Sequence, residues 1–184
     1  MLSYNECYHG TSYENYLSIS KTKQFKCKHR KNHWLGQGAY FFLEDIEKAK
    51  WFVKVSRSPE LKAKKKCVLQ ISVNIETDKL LNLDIESGRK KLSEFAQELE
   101  KEGVEIKSRE SFISNSELRC YLIDLYGSYF NIQAVKYTFT DDKISYVDFN
   151  TNVESCDKIQ NNGIQLNIID QSIINFNNLK VQCI

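Results

Sequence analysis

None of the six cysteines forms a C-x-x-C pair, and no histidine stands at finger spacing from them, which excludes the usual structural zinc sites. The start "MLSYNEC" has neither a basic n-region nor an apolar h-region. That sets the expectation of a reducing cytoplasm, with free thiols packing as small apolar groups. No apolar run is long enough to span a bilayer, so no membrane partner is expected. No internal repeat is present, and an Asn-rich stretch in the last third is the sole hint of low complexity. The single proline, Pro59, alongside abundant Asn, Ile and Lys, reflects coding bias more than function.

What is present fits one globular domain over 1–184. The apolar fraction of 41% can supply a core. Net charge is only +2, but it is polarised. No acid occurs between Glu14 and Glu44, while Lys21, Lys23, Lys26, Lys28, Arg30 and Lys31 all do. A second basic run holds Lys54, Arg57, Lys62, Lys64, Lys65 and Lys66. Such stretches, 21–33 and 54–66, suit a phosphate-bearing ligand or nucleic acid, or else form a solvated face.

Hydrophobic periodicity predicts an α+β chain. Strands are expected at 6–10, 39–42, 67–74, 79–84, 132–140 and 163–170. "DDK" at 141–143 reads as a turn, with "ISYVDF" pairing back as a hairpin and "LKVQCI" closing the sheet. Helices are expected from 11, with Thr11 and Glu14 at capping-box spacing, and over 44–55, 87–103 and 116–127. In the second helix Ile46, Ala49 and Val53 form the core stripe, and Trp51 falls on roughly the opposite side.

Three short pieces stand in order: "YHGT" at 8–11, "WLGQGAYFFLEDIEKAKWF" at 34–52, and "GIQLNIID" at 163–170. Together they resemble the ADP-ribosyltransferase superfamily of the diphtheria-toxin and poly(ADP-ribose)-polymerase type. That branch carries a His in an H-G-T/S strand end, a Tyr in a G-x-G-x-Y-F strand, and a variable third residue on a later strand. His9, Gly10 and Thr11 match the first element, and Gly36, Gly38, Tyr40 and Phe41 the second. Ala49 and Trp51 match the helix that follows. The third position falls on Gln165, with Gln133 in "NIQAV" as its rival. The resemblance covers 7–55 and, more weakly, 163–170; the segment 75–130 aligns to nothing. It implies split antiparallel sheets with peripheral helices, NAD as substrate and no metal.

These residue types suit that chemistry. Cleaving nicotinamide from NAD⁺ builds oxocarbenium character on the ribose, so a site must grip the carboxamide, hold ribose hydroxyls and exclude water. A strand-end glycine allows close backbone approach, and a histidine can bond a hydroxyl. Two aromatic faces can sandwich a flat cationic ring. The resemblance implies catalytic roles for His9, Tyr40 and Gln165. It also implies cofactor contacts from His9, Gly10, Thr11, Tyr40 and Trp51, with the basic loop 21–33 near the diphosphate. Glutamine cannot take a proton, so a single transfer is implied rather than chain elongation. Taken singly, each residue has an ordinary role: a strand-end histidine, a core tyrosine, a surface tryptophan, a pair of turn glycines.

The leading expectation is an NAD-dependent mono-ADP-ribosyltransferase, a microbial or phage-type effector or toxin acting on protein or nucleic acid inside a cell, with an antitoxin or immunity protein as a further partner. The alternatives are a catalytically weak module that binds NAD, ADP-ribose or nucleic acid, and an NAD glycohydrolase.

Overall fold

The structure is a computed structural model and describes residues 1–31, 33–58, 61–62, 64–104, 114–146 and 158–184. Pro59, Cys156 and the Asn-rich connection at 147–157 lie outside the described residues, as does the end of the hairpin expected at 144–149. The described chain forms β1 (Leu2–Ser12), α1 (Tyr13–Thr22), β2 (Ala39–Leu43), α2 (Ile46–Val55), β3 (Lys66–Ile75) and β4 (Leu80–Asn82). Then come α3 (Glu86–Lys101), α4 (Asn115–Phe130), β5 (Ala134–Tyr146), β6 (Lys158–Ile168) and β7 (Ile174–Cys183). The class is α+β, as the periodicity predicts. Among the described residues, no helix is long and apolar enough to cross a membrane.

The strands follow in one hydrogen-bonded series, β4-β5-β6-β2-β1-β3-β7. All pairings are antiparallel except β4 with β5, which is parallel. Two expectations need correction. "DDK" is no turn and Ile144–Tyr146 do not pair back on the strand before it: β5 runs through both, with a register slip between Thr140 and Ile144, and Ile144–Tyr146 pair with β6. Nor does Thr11 cap α1. Ser12 does, its hydroxyl accepting from Asn15 N at 3.2 Å, while Glu14 pairs with Lys64. One residue decides this, because only the last residue in extended conformation can aim its oxygen at the free N–H groups of the first turn.

Strand alternation separates two cores. On one face Cys7, Phe41, Leu43, Leu69, Ile71 and Leu166 pack with Ile19 of α1 and with Phe25. On the other, α2 covers Tyr8 and Val68 with Ala49, while α3 and α4 cover Leu81, Val135 and Leu35 with Phe95 and Ile123. The α2 stripe of Ile46, Ala49 and Val53 is thereby accounted for, with Asp45 capping the helix by accepting from Lys48 N at 2.8 Å. Helix α2 and the α3/α4 pair sit over different strands of this second face. Phe42 and Gln165 lie opposite one another in the β2–β6 ladder between them.

Candidate functional site

The ladder between β1 and β2 contains Cys7↔Leu43 and Tyr8↔Phe42 and goes no further. Beyond it β1 continues against β3, through His9↔Leu69, Gly10↔Val68 and Thr11↔Cys67. Meanwhile β2 continues against β6, through Phe41↔Leu166, Tyr40↔Asn167 and Ala39↔Ile168. The two strands therefore fork at His9. Glu44 N donates to Glu6 O at 2.8 Å, which sets the phase of the alternation. In that phase the main-chain groups of Gly10 and Tyr40 face into the fork.

His9 bridges the opening: its Nδ1 lies 2.8 Å from the Tyr40 carbonyl oxygen. A carbonyl can only accept, so Nδ1 carries the proton and Nε2 is left as an acceptor. The ring is held edge-on by Phe25, at 5.1 Å and 75°, and touches Phe41 at 5.5 Å. Burial among these rings lowers the His9 pKa, outweighing the bond to the Tyr40 carbonyl, which raises it. His9 is thus a neutral imidazole of defined tautomer.

Tyr40 stands on the neighbouring strand, yet its ring and the His9 ring emerge on opposite faces of the sheet. The reason is register. Extending the ladder places Tyr40 across from Gly10, and His9 across from Phe41. The Tyr40 hydroxyl is already engaged, donating to Gly36 O at 2.7 Å and accepting from Leu35 N at 2.8 Å. Burial raises its pKa far above the ordinary phenol range, so it stays protonated. It holds the Leu35–Gly36 turn, where Gly36 takes a φ of 79°.

Gly10 is needed for packing. A Cβ there would meet the Ala49 carbonyl oxygen at 2.7 Å and Val53 Cβ at 2.9 Å, so α2 lies directly on it. Thr11 is buried, and its hydroxyl accepts from Asn15 Nδ2 at 3.1 Å. Trp51 projects from the outer side of α2, 54% exposed, under the Lys48 ammonium at 5.9 Å. Phe52 and Val55 beside it are 45% and 51% exposed, and Phe52 reaches Phe42 on β2 at 6.1 Å. Gln165 pairs with Phe42 on one side and Tyr137 on the other, so its side chain shares the face of Tyr40. Gln133 is remote in role. Its amide exchanges bonds with Glu76, donating to the carboxylate at 3.0 Å and accepting from Glu76 N at 2.9 Å. That tie joins the chain just after β3 to the chain just before β5.

Other side chains that shape the site escape the motif. Asn167, fully buried, donates through Nδ2 to the carbonyls of Leu35, Gly36 and Gln37, at 2.7, 3.3 and 3.1 Å. Gln37 closes a two-way clamp on Arg30 and donates its own N–H to Asp124 of α4 at 2.6 Å. Gln171 clamps Phe25 in the same manner, at 2.7 and 2.9 Å. These amides pin both ends of the basic loop, leaving Lys26, Lys28 and His29 exposed between them. Their one sequence signal is position: Gln37 lies inside "GQG", and Asn167 two residues past Gln165.

No family model matches the chain, and no solved structure matches it. Among curated proteins it is similar to "Uncharacterized protein MJ0359" of Methanocaldococcus jannaschii, with 28% identity over 76 residues. That match covers 41% of this chain and 36% of the archaeal protein, so it spans about a third of that protein's length.

Proposed function

We propose that this chain is an NAD-dependent mono-ADP-ribosyltransferase of the diphtheria-toxin and poly(ADP-ribose)-polymerase type, an effector or toxin that moves one ADP-ribose from NAD⁺ to a macromolecule. The observation that carries the reading is the β1–β2 fork at His9 and Gly10, bridged by the His9–Tyr40 carbonyl bond. Such a fork turns unladdered main-chain N–H and C=O groups toward a ligand, which is what capture of a planar carboxamide requires. A dinucleotide lying across it would meet His9 Nε2 from one face, and Phe42, Gln165 and the Trp51–Phe52 side of α2 from the other. Nε2 is suited to accept from a ribose hydroxyl. The aromatic side chains are suited to cover a cationic ring, and the lysines of 21–33 to meet the diphosphate.

Nicotinamide would leave with the electron pair of its glycosidic bond while the fork and the aromatic cover restrain the ribosyl cation. Gln165 can bond a ribose hydroxyl without deprotonating an acceptor. Incubation with NAD⁺ labelled in the adenylate and a cell lysate tests the reading. Label on a macromolecule with release of free nicotinamide is expected, and both should be lost in His9→Ala. Neither appearing would overturn it.

Gln165 also favours a second reading, a module that binds NAD⁺ or ADP-ribose with little turnover, because that position carries no acid. Calorimetry showing NAD⁺ binding with no nicotinamide released over hours selects it. Free ADP-ribose without modified macromolecules would mark a glycohydrolase.

A further inference from the structure

Beside the fork, a second concavity lies between α3, α4 and β5. Its volume is about 380 Å³, and it is lined by Trp34, Leu35, Arg89, Arg119, Tyr137 and Phe139 among others. Trp34 is 51% exposed and lies 4.8 Å from the Phe139 ring, which in turn meets Tyr137 edge-on at 4.8 Å. A tryptophan left half in water on top of other aromatics is an open stacking platform. Two guanidiniums flank it. Arg89 is locked, its Nη1 donating to the carbonyls of Leu83 at 3.0 Å and Asp84 at 2.8 Å. Arg119 stands exposed on α4. Trp34 belongs to the same acid-free stretch as Arg30 and Lys31, four and three residues before it.

Aromatic faces beside guanidiniums, reached through a lysine-rich loop, form the recognition chemistry of unpaired bases on a phosphate backbone. A duplex hides its base faces and could use only the charges. An acidic peptide could use the arginines but would leave the ring platform idle. The cleft is also well placed. Tyr137 stands directly across the β5–β6 ladder from Gln165, and Leu35 is held by the Tyr40 hydroxyl.

We propose that this cleft binds single-stranded nucleic acid, seating one base against Trp34 and Phe139 with flanking phosphates at Arg119 and the basic loop. The inference goes beyond the NAD⁺ reading and does not depend on it, since binding can be measured without NAD⁺.

The test is fluorescence anisotropy with a labelled, mixed-sequence single-stranded oligonucleotide, as RNA and as DNA, against the corresponding duplex. Saturable binding of at least one single strand is expected, tighter than the duplex, and about ten-fold weaker in Trp34→Ala. Affinity should also fall at least about ten-fold from 50 to 200 mM salt, and Arg119→Glu should weaken it further. Trp34 and Arg119 are exposed, and circular dichroism confirms that the variants fold. In a Trp51→Phe background Trp34 is the one remaining tryptophan, so the oligonucleotide should quench it directly. Absence of single-strand binding, equal affinity for duplex, or binding unchanged in both Trp34→Ala and Arg119→Glu overturns the proposal. So does quenching of Trp34 by AMP or an acidic peptide but not by the oligonucleotide. Loss of ADP-ribosyl transfer with oligonucleotide binding intact would count against the NAD⁺ reading alone.

Discussion

The Nδ1 of His9 and the main-chain oxygen of Tyr40 are 2.8 Å apart, and the bond between them spans the point where β1 and β2 part. A histidine in this position closes the fork from within and leaves its Nε2 free of the Tyr40 carbonyl. Both the Nδ1-protonated neutral imidazole and the charged one can make this bond, but burial among the Phe25 and Phe41 rings disfavours the charge.

The pH dependence of stability follows. His9 has a lowered pKa in the folded chain, chiefly through burial. As pH falls through about 6.5, the unfolded chain takes up a proton that the folded chain resists. Unfolding then binds protons, so the His9 contribution is flat above about pH 7 and declines below about 6.5. His33 adds in the same direction, since burial and then Arg30 lower its pKa, and its Nδ1 is buried without a partner. Urea midpoints against pH should show the decline, and His9→Gln should remove part of it.

Gly10→Ala should destabilise the fold by about 1–3 kcal/mol, because its Cβ would drive into the Ala49 carbonyl and Val53. Helix α2 must lift from β1, so the Trp51–Phe52 side moves with it. Denaturant midpoints report the first effect; if the fork holds NAD⁺ as proposed, its affinity should fall too.

Asn167→Ala should cost about 1–3 kcal/mol by leaving three turn carbonyls without their donor. Hydrogen exchange should show faster opening at Leu35 N and Gln37 N, which bond to the Tyr40 hydroxyl and to Asp124. Asn167→Asp should be worse, since it sets a carboxylate against those carbonyls.

Trp51→Ala should separate ligand from fold. The side chain is 54% exposed, so stability should change by no more than about 0.5 kcal/mol. If Trp51 covers the nicotinamide ring, NAD⁺ affinity should fall several-fold in calorimetry, as loss of about 1 kcal/mol of cation–π and stacking contact implies. Unchanged affinity would remove Trp51 from the site.

Gln165→Glu places a carboxylate at the position proposed as the third of the site. Nicotinamide release should rise on the order of 10²-fold, the scale of a positioned general base. An unchanged rate would mean that the reacting centre lies elsewhere.

Much of this molecule is legible in its residues. Alternation in "CVLQISVN" and the Ile46/Ala49/Val53 stripe mark β3 and α2 with nearly correct ends, since each records which side of one element is buried. The run through "DDK" misleads, because three charged residues suit a turn locally, while the ladder with β6 resumes at Ile144 after a register slip and keeps the chain in one strand. The order His9, Tyr40, Trp51, Gln165 is likewise visible, and the resemblance it carries implies the adjacency of the first two strands, which are paired here.

Which face each of those residues occupies could not be read there. Period-two alternation orients a side chain relative to its own strand, but register against the neighbour decides the shared face. That register places Gly10, not His9, across from Tyr40. The clamps by Gln37, Asn167 and Gln171 were hidden for a similar reason. Gln171 meets its partner 146 residues away and Asn167 about 130, so only the folded chain sets those amides against the backbone groups they satisfy. The sequence by itself determined the strands, the helices and the chemistry each side chain can offer. Tertiary structure decided that the Tyr40 hydroxyl is spent on a turn, that Thr11 is spent on Asn15, and that β1 and β2 part at His9. A hydrogen bond needs both partners within about 3 Å, and distance across the sheet is not written in distance along the chain.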